Sequence, residues 1–357
     1  MKAAVGMRIA SASTGTTKRI VLTALIAVFA LGANCGCTDL LGTFGKDSRI
    51  KGGLMAGKDY YKDEEYKKAA EEFSRALELD PENTELLVWR GDSYLKLKEN
   101  EKAMNDYSKA IKIDPSAGNA YVARADGYLA LKDYERQIED LDRALTLELD
   151  DQMLKDVYVN RANAFNHLKK YDKALADAEK AVKLNEESAM AWANQGDALC
   201  GLERYAEGAA AYTKAINITP KDADLYYCRG DAYIDADEPE KALADLNKSI
   251  RLDPSVDGVY VSRADVYNTM AQYQAALDDA DKAAELGDDS WAMYFNRGRA
   301  LTGLDRAKEG VEEYTKSLAA KEVPMTYEYR GRAYDKLGDK AAAAADHAQA
   351  KRLGWKK

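Results

Sequence analysis

Two histidines and four cysteines are all that 357 residues supply of the side chains that most often hold transition metals. His167 and His347 stand far apart, and Cys35 and Cys37 sit beside an N-terminal apolar stretch, so no metal cluster is expected. Cys200 and Cys228 remain. An oxidising compartment would permit a disulfide between them, but the plainer expectation is two small half-buried residues. Basic residues are outnumbered, 52 against 61 acidic, and form no stripe, which argues against nucleic acid and against adhesion to anionic lipid by charge. A Gly-rich phosphate loop, a metal-hydrolase motif and a paired nucleophile and base are all missing. The expectation is a protein that is not an enzyme and carries no cofactor.

What the chain has instead is repetition. A small residue recurs nine times, at Gly57, Gly91, Ala125, Ala162, Gly196, Gly230, Ala264, Gly298 and Gly331. Three places after each stands an aromatic residue or Leu, from Tyr60 and Tyr94 through to Leu301 and Tyr334. Six of the eight spacings are 34 residues; the others are 37 and 33. A fixed period of this size implies a stacked array, which has no single core in which to build a catalytic pocket.

Each unit carries two amphipathic patterns. An aromatic four places before the small residue (Tyr121, Trp192, Tyr226, Tyr294) and one three places after it make one helical face. A second face follows, as in Ala103, Tyr107 and Ala110 or Ala276, Ala280 and Ala283. Asp80-Pro81, Asp114-Pro115, Thr219-Pro220 and Asp253-Pro254 end the second helix, because proline disfavours helical geometry in the residue before it. The unit reads helix, turn, helix, turn.

These residues resemble the tetratricopeptide repeat (TPR) family. Trp192, Gly196, Tyr205, Tyr212, Ala215 and Pro220 stand at its signature spacings, as do Gly91, Tyr94, Ala103, Tyr107, Ala110 and Pro115. Departures are local: Gly53 replaces a leading aromatic, Gln137 a small residue, Gly208 and Gly310 an Ala, and three extra residues fall within 146–154. The resemblance covers about residues 50–357. It implies an all-α, right-handed superhelical solenoid of about nine helix-turn-helix units, with the first helices lining a concave groove. It also implies a protein or peptide ligand in that groove.

Charge repeats as well. Arg90, Arg124, Arg161, Arg229, Arg263, Arg297 and Arg330 directly precede the small residue. Sixteen places later stand Asp106, Asp140, Asp177, Asp245, Asp279, Glu313 and Asp346. The fifth unit lacks both, with Gln195 and Ala211, so the two belong to one pair within a unit. If half-exposed, each pair contributes about 1 kcal/mol or less.

Residues 1–19 carry four basic residues and no acid, and a 13-residue apolar run follows from Ile20 to Gly32. This reads as a secretory signal, too short to favour a permanent span. The cysteines after it resemble a bacterial lipoprotein processing site, with Cys37 (alternatively Cys35) as the lipidated residue; an ordinarily cleaved secreted protein and an uncleaved anchor are the other readings. The domain reading is a signal over 1–37, a short tether over 38–49 and the repeat array over 50–357. The protein is then exported, in the periplasm or cell envelope, and meets a membrane only through its lipid.

The residue directly after each small residue should face the groove: Lys58, Asp92, Asp126, Asn163, Asp197, Asp231, Asp265, Arg299 and Arg332. Val88, Val122, Tyr227, Val261 and Phe295, four places earlier, would supply apolar walls. One reading is an electronegative groove for a basic or amide-rich peptide, with Arg299 and Arg332 taking an acidic or C-terminal group. The other is solvated helix surface bonded locally to neighbouring helices. A subset of the family grips the acidic C-terminus of chaperones with Lys and Asn; Asp92 and Asp126 would repel that ligand. Asp235 to Glu240 is an acidic turn, expected to cap a helix rather than hold calcium. Alternatives to a scaffold or adaptor are a regulatory subunit of an envelope enzyme, or a homo-oligomer joined through Ala341 to Ala345 and Leu353-Gly354-Trp355.

Overall fold

The computed structural model describes residues 37–356, with side-chain surroundings from Gly45 onward. The expectations for Cys35 and the preceding signal lie outside these residues. Eighteen α-helices and no strand are found among the described residues. The first helices of the nine units (A helices) are α1 (Cys37–Lys62), α3 (Thr84–Lys96), α5 (Gly118–Ala130), α7 (Asp151–His167), α9 (Ala189–Gly201), α11 (Ala223–Asp235), α13 (Asp257–Thr269), α15 (Trp291–Gly303) and α17 (Pro324–Leu337). The second, B helices are α2 (Tyr66–Leu79), α4 (Asn100–Ile113), α6 (Tyr134–Ala144), α8 (Tyr171–Leu184), α10 (Tyr205–Ile218), α12 (Pro239–Leu252), α14 (Tyr273–Leu286), α16 (Ala307–Ala320) and α18 (Lys340–Arg352). Residues 38–49, which composition assigns to a tether, are helical, as part of α1. No proline interrupts them.

The chain packs as two compact units, one reaching Ala120 and the other running from Tyr121 onward. Within each unit, an A helix packs on its own B helix, and that B helix on the next A helix. Successive A helices also meet, α1 with α3 in the first unit, and α9 with α11, α11 with α13, α13 with α15 and α15 with α17 in the second. The core is therefore a seam of small residues and rings. Ala103 and Tyr107 in the first unit, and Ala174, Ala178, Ala264, Ala280 and Tyr314 in the second, are fully buried.

Where the residue sixteen places on is a tyrosine, the small position is Gly. A Cβ added at Gly91, Gly196 or Gly298 would come within 2.5 to 2.8 Å of the ring of Tyr107, Tyr212 or Tyr314. Ala162 and Ala264 stand opposite Ala178 and Ala280, where a methyl group fits. The turn between A and B helices uses a left-handed residue, and in eight units it is not glycine: Glu64, Lys98, Lys132, Lys169, Glu203, Asp237, Ala271 and Asp305 have φ of 55 to 61°. The next amide reaches back to the A helix, as Arg204 N does to Leu199 O (2.9 Å), which holds the strained residue in place. Asp237 takes this role in the acidic turn. Capping by Asp fails there: Glu238 stands at the cap of α12 without a side-chain bond, and Pro239 opens the helix.

The Arg–acid ladder is present and more buried than half. Arg90, Arg124, Arg229, Arg263 and Arg330 fork onto Asp106, Asp140, Asp245, Asp279 and Asp346 through Nε and Nη2 at 2.7 to 2.9 Å. Arg161 does the same to Asp177. The free Nη1 continues to the preceding B helix: Arg90 to Ser74, Arg161 to Asp142, Arg229 to Thr213 and Arg263 to Asn247. Arg297 departs. The preceding helix offers it Asp281, 2.8 Å from Nε, and Glu313 is left at 3.7 Å. Lys316, on the same helix, holds Glu313 at 2.6 Å.

Candidate functional site

The predicted groove column lies on the A helices, but its members differ in what holds them. Lys58 pairs with Glu85 at 2.7 Å and stands over the Trp89 ring. Asp92 and Asp197 each accept a hydrogen bond from the tyrosine of their own B helix, Tyr107 at 2.8 Å and Tyr212 at 2.5 Å. Asp126 accepts from Asn160 Nδ2 of the next unit at 3.0 Å. Asn163 is half-buried on α7. Asp265 forms an ion pair with Arg299, one unit on. Arg332 donates to Glu328 on its own helix at 2.9 Å. Local bonding therefore accounts for Asp92 and Asp197, and Arg299 and Arg332 are already paired with carboxylates.

Burial makes several of these carboxylates expensive to ionise. Desolvation pushes Asp92 up to about 6, with the Tyr107 hydroxyl and Lys96 pulling the other way. Asp197 is raised by burial, opposed by Tyr212. Desolvation lifts Asp231 to about 6, opposed by the Ser262 and Tyr227 hydroxyls and reinforced by Asp235 and Asp265. Asp235 is raised by burial and by Asp265.

In the second unit the A helices line two open cavities. The first, about 270 Å³, is lined by Asp231, Ile234 and Asp235 of α11, by Val261, Ser262 and Asp265 of α13, by Trp291, Ala292, Phe295 and Asn296 of α15, and by Met325. The second, about 470 Å³, lies between the C-terminal ends of α13, α15 and α17 and gathers Arg299, Arg332 and Lys336 around Tyr273, Tyr314 and Tyr329. Arg299 lines the second, its guanidinium 5.6 Å from the Phe295 ring centre and 5.4 Å from that of Tyr329. Of the expected apolar walls, Val261 and Phe295 line the first cavity, and Tyr227 is half-buried on α11. Phe295 is 3% exposed, so most of its ring is core against Tyr314 and Ala333.

Several site features fall outside the columns read from the sequence. Asn194 and Asn296 donate through Nδ2 to Val159 O and Val261 O of the preceding A helix, at 2.9 and 3.2 Å, stapling successive units. Trp291 and Met325 enter the first cavity from helix starts. Tyr314 has lost the acceptor that Tyr107 and Tyr212 enjoy, because Arg299 occupies the Asp position; its hydroxyl is buried without a partner of good geometry, beside Thr302. His347 fills the ring position of the ninth unit between Glu328 (2.8 Å) and Asp335 (3.1 Å). Cys200 and Cys228 are half-buried free thiols beside one apolar cluster, each pushed up to about 12 by burial. Among the described residues no His, Cys, Asp and Glu group could hold a metal ion, and no helix is long and apolar enough to cross a membrane.

Comparison with known proteins agrees with this geometry. Tetratricopeptide repeat models match residues 54–118, 118–151, 156–188 and 223–256, and a TPR repeat model matches 196–237. Together they span more than half of the chain. A tetratricopeptide repeat protein from Parabacteroides merdae is 20% identical with a TM-score of 0.55, over 71% of this chain and 99% of that one. The Cut9–Hcn1 hetero-tetramer of APC/C gives 13% identity and a TM-score of 0.51, over 85% and 80%. YrrB, described as a TPR protein with an unusual peptide-binding site, is 26% identical over 52% and 94%, with a TM-score of 0.45. A search of curated proteins found no match.

Proposed function

Because the chain belongs to the tetratricopeptide repeat family, we propose that it is a non-catalytic scaffold that holds a partner polypeptide against its A-helix face. The observation that carries this reading is the first cavity, to which four successive A helices contribute side chains. A surface of that kind is preformed, so a partner meets it with little ordering of the receptor. Fold likeness names no partner.

The proposal places the protein outside the cytoplasm, held to a membrane by a lipid on Cys37. The basic and apolar N-terminal pattern supports export, and the acidic body supports lipid rather than charge as the link. Labelled palmitate should enter the wild-type chain and not Cys37→Ser, whereas incorporation lost only in Cys35→Ser would move the anchor to Cys35. For the scaffold, affinity purification from envelope extract is compared between wild type and Asp197→Lys/Asp231→Lys. Proteins captured at low salt by the wild type should be lost from the charge-reversed chain. Unchanged capture would remove the A-helix face from the account.

A further inference from the structure

From the register of the stacked units we infer that Cys200 and Cys228 are a disulfide pair, a covalent staple between the fifth and sixth units that closes on oxidation.

The repeat fixes which side chains face each other across a junction. The residue four places after the small position of one A helix meets the residue two places before the small position of the next. Three junctions show this at a separation of 28 residues. Tyr61 packs edge-on against Trp89, with ring centres 5.4 Å apart. Asn166 donates to Asn194 O and Asn268 to Asn296 O, both at 2.9 Å. Cys200 and Cys228 stand at the same two places, again 28 apart, on α9 and α11. Those helices are in contact, and both cysteines pack on the one apolar cluster around Tyr212. A hydrogen-bonded Asn and a disulfide span gaps of similar length, since a disulfide joins Cα atoms about 5.5 to 6 Å apart.

Two further observations mark this junction. The Asn junctions are stapled twice, because Asn194 and Asn296 also reach back to Val159 O and Val261 O. A thiol is a weak donor and reproduces neither bond, so the reduced fifth–sixth junction has no staple at these places. Gly208 stands where the family has Ala, and a Cβ there would come within 2.4 Å of Cys200 Sγ. The glycine keeps room for the sulfur. The two thiols also sense each other, since ionising Cys200 would push Cys228 up.

Burial, with Asp197 and Asp231 adding to it, pushes each thiol up to about 12, so the folded chain holds almost no thiolate. The bond therefore closes during folding, before the junction is buried. One cysteine thiolate attacks a disulfide oxidant such as oxidised glutathione and expels one glutathione thiolate. The second attacks the mixed disulfide at the cysteine sulfur and expels the other. The oxidant takes up two electrons, and the two cysteine protons end on the two glutathiones. The pairing rests on register alone; the exported location proposed above would supply such an oxidant.

The test refolds the full chain to equilibrium in a glutathione redox buffer, with Cys35→Ser/Cys37→Ser so that only these two thiols remain. Trypsin places them in peptides 184–204 and 222–229, which mass spectrometry counts as linked or free. A parallel sample stays in guanidinium chloride, and the buffer is set so that half of its chains are linked. The expected ratio of linked to free chains is at least about tenfold higher in the folded sample. Amide hydrogen exchange across α9 to α11 should also slow at least about tenfold on linking. An equal or lower ratio in the folded sample would overturn the pair. Exchange that is unchanged or faster in the linked chain would overturn the staple. Alkylation of free thiols in intact cells, followed by the same digest, separates the pair from its location. Linked peptides from cells support both, whereas a pair that links on refolding but is free in cells keeps the pair and removes the oxidising compartment.

Discussion

Asp92 shows how one residue type can serve two purposes at one position of the repeat. Its neighbour in space is the Tyr107 hydroxyl, and its pKa is pushed up to about 6 against an ordinary 3.8. The folded state binds the proton more tightly than the unfolded chain, so the stability this group contributes is present below about 3.8 and is lost as pH rises through about 6. Asp92→Asn keeps an acceptor for Tyr107 and removes the charge. Thermal melts should show the variant more stable at pH 8, by up to about 3 kcal/mol, with the gain fading toward pH 4. A constant offset across that range would contradict the shift. Gln137 offers a second test. It replaces the family's small residue, is fully buried, and leaves both side-chain polar atoms unpartnered. Gln137→Leu, close in volume, should stabilise by about 1 to 3 kcal/mol in denaturant melts; destabilisation would mean that the amide is satisfied after all. The column of Asp residues was legible from spacing alone, whereas the partners of its members were not. Tyr107 lies on another helix, and Arg299 reaches Asp265 from a whole unit away, so no local pattern links them.

Among the elements, the Arg–acid ladder was legible because both members recur and are missing together in the fifth unit. Its continuation to Ser74, Thr213 and Asn247 was hidden, because those acceptors vary in type. Arg90, Arg161, Arg229, Arg263 and Arg330 each join two B helices. The Asp245 and Arg229 side chains are only 10% and 16% exposed, so a double-mutant cycle between Arg229→Ala and Asp245→Ala should give a coupling above about 1 kcal/mol, larger than a surface pair yields. Zero coupling would refute the pair. The turns were not legible, since the left-handed position carries Lys, Glu, Asp or Ala in place of the usual glycine. Ala271 has φ of 56° and no side-chain function to justify it. Ala271→Gly should raise stability by up to about 1 kcal/mol in the same melts; a loss would show that the flexibility glycine adds to the unfolded chain outweighs the strain it relieves.

At the scale of the molecule, the period of 34 announced the architecture, since a unit that cannot bury its own faces must stack on another. The two cavities were not announced. They arise where residues from three or four helices converge, and only Asp231, Asp265, Val261, Phe295, Arg299 and Arg332 among their lining belonged to the repeating column and its walls. The central claim is that the A-helix face is where a partner rests. Placing p-benzoylphenylalanine at Asp235, on the rim of the first cavity, and separately at Glu240, exposed on α12, tests it most directly. After irradiation in envelope extract, the account predicts a discrete crosslinked partner from position 235 and none from 240. Crosslinks of equal yield from both, or from 240 alone, would contradict it.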